Sequence, residues 1–143
     1  MIFRAPGRDD HRMKRSRIFI TILYPVSIAG IILASLLPTL PQAPVDIEYM
    51  DKIEHGLAYA VAGTLGSFFF RKPDGEGRPG AAIRSVAFGM ALGVAIELVQ
   101  PFVGRSRELA DGLADLAGLV VGAGIFLAVT KPRRRPVASS HLW

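Results

Sequence analysis

Long apolar runs alternate with short polar segments along this chain, and four of the runs are long enough to cross a membrane as helices. The first run is uncharged over 23 residues and as an α-helix would measure roughly 34 Å. This length exceeds the ~30 Å hydrocarbon core of a bilayer, so the run can span it with some tilt. The pattern predicts an all-α membrane protein whose helices occupy residues 18–40, 53–70, 81–103 and 109–130.

These helices form the predicted membrane domain, residues 18–130, between a basic N-terminal tail at 1–17 and a basic C-terminal tail at 131–143. Pro25 lies inside the first helix, and membrane helices tolerate the kink that proline causes. A cleaved signal peptide is the alternative for the first run, but its apolar core would span only about 7–15 residues. The length of the run therefore favours a permanent membrane helix.

Small residues recur at four-residue spacing on three of the predicted helices, which indicates close helix packing. Such ridges let membrane helices approach each other where apolar burial alone cannot drive association. The ridges are Ala58, Ala62 and Gly66 on the second helix, Gly89 and Gly93 on the third, and Ala110, Ala114, Gly118 and Gly122 on the fourth. The sequence therefore predicts a four-transmembrane-helix bundle.

The chain carries 17 Lys and Arg residues against 12 Asp and Glu, a net charge of +5, and it has no cysteine. Disulfides and thiolate metal sites are therefore excluded. The basic residues flank the apolar runs instead of alternating with aromatic residues, so we expect a topology signal and no nucleic-acid partner. They concentrate before the first helix, between the second and third, and after the fourth. The positive-inside rule then predicts that both termini are cytoplasmic.

Most of the polar residues that interrupt the apolar runs lie at one end of the predicted bundle, the outer end in this topology. We call them the polar cluster: Asp51, Lys52, Glu54, His55, Glu97, Gln100, Arg105, Glu108, Asp111 and Asp115. Glu97 and Asp115 each lie roughly 9 Å inside their runs, and we expect them at matching depth. Arg84 interrupts a run near the inner face, where its long side chain can snorkel to the surface.

Helical spacing places the polar cluster on the same faces as the small residues, pointing into the bundle. Glu97 and Gln100 are three residues apart, and Asp111 and Asp115 are four apart. An ionised Asp at the centre of a membrane helix costs about 2.5–3.5 kcal/mol on insertion scales. Such groups need a partner, a proton, a metal ion or a water-filled cavity, and they are candidates for function.

In their order along the chain, these residues resemble the VanZ-like family, named for a protein linked to teicoplanin resistance. The likeness covers residues from about 30 to 125 and consists of Leu36-Leu37-Pro38, Asp51-Lys52-x-x-His55 with Tyr59, Glu97-x-x-Gln100, Gly104-Arg105-Ser106-x-Glu108-x-x-Asp111 and Gly118. The resemblance implies a four-helix membrane protein, and many relatives have no assigned reaction. Family members usually carry Asn at the position of Asp115, so a role for Asp115 does not follow from the resemblance.

The first of three candidate functions is binding of a cell-envelope lipid or a glycopeptide-related ligand in a polar pocket at the outer face. The candidate ligand-binding residues are Asp51, Lys52, His55, Tyr59, Glu97, Gln100, Arg105, Glu108, Asp111 and Asp115. Lys52 and Arg105 would contact anionic groups of the ligand. Membrane lipids would surround the bundle as further partners.

The second candidate is an intramembrane enzyme acting on a lipid-linked substrate by acid–base or metal-dependent chemistry. Its candidate catalytic residues are His55, Glu97 and Asp111. The acidic excess suits a divalent cation with oxygen ligands, for which the candidate ligands are Asp51, His55, Glu97, Asp111 and Asp115.

The third candidate is a structural protein whose polar network only holds the bundle together. In this case His55 would pair with Asp51 to fix the start of the second helix, and Arg105 would pair with Glu108 in the loop before the fourth.

Overall fold

Each of the four apolar runs forms a helix. The computed structural model describes residues 8–37, 50–72, 77–105 and 109–130, and within them the side chains from residue 15 onward, residue 51 excepted. In these ranges α1 is Arg8–Leu36, α2 is Met50–Phe69, α3 is Arg78–Val99 and α4 is Leu109–Val129, and a 3-10 helix, Gln100–Val103, follows α3. The all-helical prediction is confirmed for this part of the chain.

Several helix boundaries differ from the predicted ones, and two of the differences have a visible cause in the sequence. α1 begins at Arg8, inside the segment predicted as a tail, where Arg and Lys are frequent and favour the helix. The third run, predicted as one helix, becomes a 3-10 helix at Gln100 because Pro101 cannot donate the next helical hydrogen bond. Gly104 then ends it with a φ of 79°, in the left-handed region that glycine adopts readily. Pro25 lies within α1 without ending it.

The helices alternate in direction along the chain. Asp115 and Tyr59 both lie against Gly93 of α3, and Leu119 lies against Gly89, so α3 is antiparallel to α4. On α4, Gly118 lies against Gly56 of α2, and Gly122, one turn further on, lies against Ala60. The contacts move in the same direction along both helices, so α2 and α4 are parallel. α1 packs against α2, and the centroid of its Tyr24 ring lies 5.0 Å from that of Phe69 at the end of α2. We call the end where α2 and α4 begin the polar end, and the opposite end the basic end.

Glycine permits the close approach of α2 and α4. A Cβ atom at Gly118 would overlap the carbonyl oxygen of Gly56, and one at Gly122 would overlap that of Ala60. Thr64 Oγ1 links the same helices by donating to Ala60 O at 2.9 Å and to Gly122 O at 3.1 Å. The small-residue ridge predicted for the second half of α4 is therefore confirmed. On α2, however, it meets Gly56 and Ala60, which the predicted ridge omitted.

Large apolar side chains cover the outside of the bundle, while its interior holds both apolar and small polar side chains. Ser67 and Ser85 are buried at 0% and 1% exposure, whereas Phe19, Ile83 and Leu113 are 71%, 67% and 68% exposed. Small polar side chains inside and large apolar ones outside are typical of a membrane helix bundle, because lipid solvates apolar surface.

Among the described residues, three helical stretches are long and apolar enough to cross a membrane: Arg15–Leu36, Arg78–Val103 and Leu109–Val129. The helix α2 is not one of them, although its 20 residues are enough for about 30 Å. Its first turns carry the polar residues Lys52, Glu54 and His55.

At the basic end, two arginines bind carbonyl groups where neighbouring helices finish. Arg84 Nη2 donates to Phe70 O at 3.3 Å, just after α2. Arg78 Nε donates to Thr130 Oγ1 at 2.9 Å, and its Nη2 donates to Leu127 O at the end of α4. These bonds satisfy carbonyls that lack helical partners and place positive charge at the negative ends of the helix dipoles. Arg84 is exposed and caps α2, and its reach to the membrane surface stays a prediction.

Candidate functional site

A histidine–aspartate pair joins α2 to α4 near the polar end. His55 Nδ1 lies 3.0 Å from Asp115 Oδ1, and their side chains are only 14% and 4% exposed. Tyr59, one turn further along α2 and 2% exposed, donates its hydroxyl to the same carboxylate. One buried carboxylate therefore serves two side chains of the neighbouring helix. Sequence reasoning had paired His55 with Asp51, whose side chain lies outside the description, so that pairing stays a prediction.

Glycine on α3 makes room for this carboxylate. A Cβ atom at Gly93 would lie 3.0 Å from Asp115 Oδ2 and 3.3 Å from Tyr59 Oη, closer than ordinary van der Waals contact. The backbone of α3 therefore closes over the pair, and Asp115 as a whole is only 3% exposed. Exclusion of water lowers the effective dielectric constant, which strengthens the interactions of the carboxylate with its donors.

A second charged pair lies one turn nearer to the polar end. Lys52 Nζ is 3.6 Å from Asp111 Oδ1, and the two side chains are 28% and 8% exposed. Asp111 also falls in the first turn of α4, where the helix dipole favours a negative charge. Lys52 thus pairs with a carboxylate of the polar cluster and is partly exposed. Its contact with an anionic group of a ligand stays a prediction.

The register between α3 and α4 bears on the depths of the acidic residues. Because Asp115 lies against Gly93, the antiparallel register places the backbone of Glu97 nearer to the polar end than that of Asp115. The matching depth of the two carboxyl groups stays a prediction. Glu97 is half-buried and adds negative potential at the Tyr59 hydroxyl.

Gln100 is a buried amide at the polar end, with only 2% of its surface exposed. Its Nε2 donates to Ser35 O of α1 at 3.5 Å, a long hydrogen bond. Its Oε1 is buried and has no hydrogen-bond partner among the described residues. An amide oxygen in this state costs about 1–3 kcal/mol, so its presence calls for a physical explanation.

Arg105 holds the end of α1. Its Nη1 donates to Ala34 O at 3.1 Å and to Ser35 O at 3.3 Å, two carbonyls in the last turn of that helix. A guanidinium group there satisfies carbonyls without helical partners and complements the helix dipole. Sequence reasoning had offered Arg105 as a contact for an anionic ligand or as the partner of Glu108. Its contact with a ligand stays a prediction.

Two predicted site residues fall outside the description: the side chain of Asp51 and the whole of Glu108. Glu54 is described and exposed. Across the described ranges, no three His, Cys, Asp or Glu side chains are grouped to hold a metal ion. Binding of a divalent cation therefore stays a prediction, and the described residues offer no set of ligands for it.

Sequence reasoning missed two contributors to this site. Gly56 and Ala60 set the spacing between α2 and α4, and their four-residue separation was a visible signal for it. Ser35, buried at 7% exposure, receives hydrogen bonds from Gln100 and Arg105 through its carbonyl oxygen. A backbone carbonyl has no sequence motif, so only the fold reveals this role.

In comparisons with known proteins, the chain matches no protein-family model, no curated protein and no solved structure. Its function is therefore inferred from the residues and geometry of the polar end.

Proposed function

We propose that this chain is a VanZ-like integral protein of the bacterial inner membrane with four spans and both termini in the cytoplasm. Three helices are long and apolar enough to span, and α2 packs against them with a length of about 30 Å. The alternating helix directions favour four crossings. The described basic residues between α2 and α3, including Arg71, Lys72 and Arg78, lie together at one end, which the positive-inside rule assigns to the cytoplasm.

Cysteine labelling tests this topology, because the natural chain contains no cysteine that would react. A cysteine replacing Ser106, in the segment of the sequence before α4, should react with a membrane-impermeant maleimide in intact cells. A cysteine replacing the exposed Lys72 at the basic end should react only after lysis. The opposite pattern would contradict the proposed orientation.

We further propose that the polar end binds the polar head group of an envelope lipid or a glycopeptide-related ligand. The observation that carries this proposal is the buried Oε1 of Gln100, which finds no hydrogen-bond donor among the described residues. The oxygen is closed to a molecule the size of water, so a ligand reaches it only when the residues that cover it move aside. A hydroxyl or amide group of the ligand would then supply the missing donor and remove the cost of burying the oxygen alone.

The residues around Gln100 fit a ligand that carries both anionic and hydrogen-bonding groups. The register of α2 against α3 brings Lys52 level with Gln100, and the lysine side chain is 28% exposed. Lys52 would attract an anionic group such as a phosphate, and the 8% exposed Asp111 would accept hydrogen bonds from hydroxyl or amide groups. A head group with phosphate and sugar or peptide parts combines these features.

Native mass spectrometry of protein purified with its envelope lipids tests this function. We expect a retained ligand in the wild type, reduced in Lys52→Gln and Asp111→Asn but unchanged in Lys72→Gln. Lys72→Gln removes the same charge from an exposed position at the basic end. Equal ligand retention in all variants would reject the proposal. If Asp111→Asn changed stability alone, the polar network would be structural.

The second candidate function, an acid–base enzyme, is favoured by one observation, the His55–Asp115 pair at 3.0 Å. A carboxylate that holds one ring nitrogen of a histidine orients the other nitrogen for proton transfer. Release of a water-soluble head group from a lipid-linked substrate would reveal such an enzyme, and His55→Gln should abolish it. If wild-type protein releases no product from envelope-lipid extracts and chelators change neither activity nor stability, both the acid–base and the metal-dependent versions are wrong.

A further inference from the structure

A cleft with two arginines lies at the basic end, far from the polar end. It has a volume of about 220 Å³ and is lined by Arg17, Ile20, Thr21, Phe68, Phe69 and Arg71. The first apolar turns of α1 form one wall. The last turn of α2 and Arg71, two residues beyond it, form the other. The cleft therefore opens between two antiparallel helices where both reach the end of the bundle.

The cleft is positively charged on one side and apolar on the other. Arg17 is exposed and Arg71 is half-buried. In the described part of the chain, neither guanidinium group forms an ion pair or a hydrogen bond, although Arg17 accepts one from Thr21 through its backbone oxygen. The positive charge of the cleft is therefore available to a ligand from outside the described chain.

In the membrane topology proposed above, the cleft lies where α1 and α2 reach the membrane boundary. The candidate span of α1 begins at Arg15, and α2 ends at Phe69. In that topology the two arginines lie at head-group level, and Ile20 and Phe69 lie on the hydrocarbon side. Phe19, which is 71% exposed, extends the apolar surface next to the cleft.

We propose that this cleft binds an anionic phospholipid, with the phosphate between Arg17 and Arg71 and an acyl chain along Ile20 and Phe69. Guanidinium groups bind phosphate by charge-assisted, paired hydrogen bonds. A volume of about 220 Å³ is below that of a drug-sized pocket, so it holds the head group while the chains stay in the bilayer. Basic pockets between helices at this depth are suited to anionic lipids. This site is independent of the function proposed for the polar end.

Lipid titration of the purified full chain in detergent, read by native mass spectrometry, tests this proposal. Phosphatidylglycerol should bind about tenfold more tightly than phosphatidylcholine with the same acyl chains, because only the former carries net charge. Arg17→Gln and Arg71→Gln should each weaken phosphatidylglycerol binding about fivefold, and the double variant about 25-fold. Lys72→Gln is the matched control, since it removes one charge beside Arg71 without lining the cleft. It should leave binding unchanged.

Several results would overturn the proposal. Equal binding of the two lipids would show that only the general basic surface attracts lipid. So would a loss of phosphatidylglycerol affinity in Lys72→Gln as large as that in the arginine variants. Displacement of the lipid by inorganic phosphate at equal concentration would show a phosphate site that does not need a lipid. If an arginine variant failed to fold, the comparison of phosphatidylglycerol with phosphatidylcholine in the wild type would still test the proposal. Raising NaCl to about 0.5 M should weaken phosphatidylglycerol binding and leave phosphatidylcholine binding unchanged, and an unchanged preference would count against the site.

Discussion

Gly118→Ala should destabilise the bundle, because the added methyl group has no space between α4 and α2. A Cβ atom at this position would overlap Gly56 O and lie 3.0 Å from Ala60 N, and both are backbone atoms that cannot rotate away. The helices must therefore separate, and overpacking of this kind costs about 1–3 kcal/mol. The better helix propensity of Ala returns up to about 1 kcal/mol. We expect a net loss of about 1–2 kcal/mol.

Gly124→Ala is the matched control for this change. It makes the same substitution on the same helix, but no heavy atom lies within 4 Å of the new Cβ. It should be neutral or stabilising by up to about 1 kcal/mol, so the two variants should differ by about 2 kcal/mol. The measurement is reversible unfolding in mixed detergent, followed by circular dichroism at equal protein and detergent concentrations.

The same separation of helices should disturb the polar end. His55 and Asp115 bridge α2 and α4, and their atoms lie 3.0 Å apart, so a shift of the helices lengthens this contact. We therefore expect Gly118→Ala to weaken ligand retention as well as stability. If Gly118→Ala unfolds at the same denaturant concentration as Gly124→Ala, the close approach of α2 and α4 is wrong.

The other predictions concern the buried pair and the arginines that cap helices. Asp115→Ala should lower the free energy of unfolding by about 3 kcal/mol, since it leaves the partner side chains buried without their acceptor. Asp115→Asn should lower it less, because the amide oxygen can still accept hydrogen bonds. Equal losses in the two variants would refute the hydrogen-bond argument. Arg105→Gln should cost about 1 kcal/mol by releasing the end of α1, and an unchanged unfolding curve would contradict this role. Arg78→Ala and Thr130→Val should show a coupling of about 1 kcal/mol in a double-mutant cycle; additive losses would show that their 2.9 Å hydrogen bond contributes nothing.

The fold was predictable from sequence because each membrane helix must satisfy its own backbone hydrogen bonds over about 20 apolar residues. The end of α4, predicted at residue 130, lies at Val129. The extension of α1 to Arg8 was not predicted, since basic residues form a helix as readily as a tail. The change from α-helix to 3-10 helix at Gln100 was likewise missed, although Pro101 was a visible signal for it.

The members of the polar end were also predictable, because ionisable residues are rare inside apolar runs. Their pairing was not. Whether His55 meets Asp51 or Asp115 depends on the register between α2 and α4, which Gly56 and Gly118 determine through backbone contact. The role of Arg105 depends on where α1 ends in space, and hydropathy along the chain carries no such information.

Gln100→Leu tests the central proposal, ligand binding at the polar end, most directly. Leucine removes the buried oxygen that has no described partner, and Ser35 O keeps its bond from Arg105 at 3.3 Å. We therefore expect ligand-free Gln100→Leu to be as stable as the wild type or more stable, yet to retain envelope ligand about tenfold less in native mass spectrometry. Lower stability with unchanged ligand retention would show that Gln100 only joins α3 to α1, and would contradict the proposed binding site.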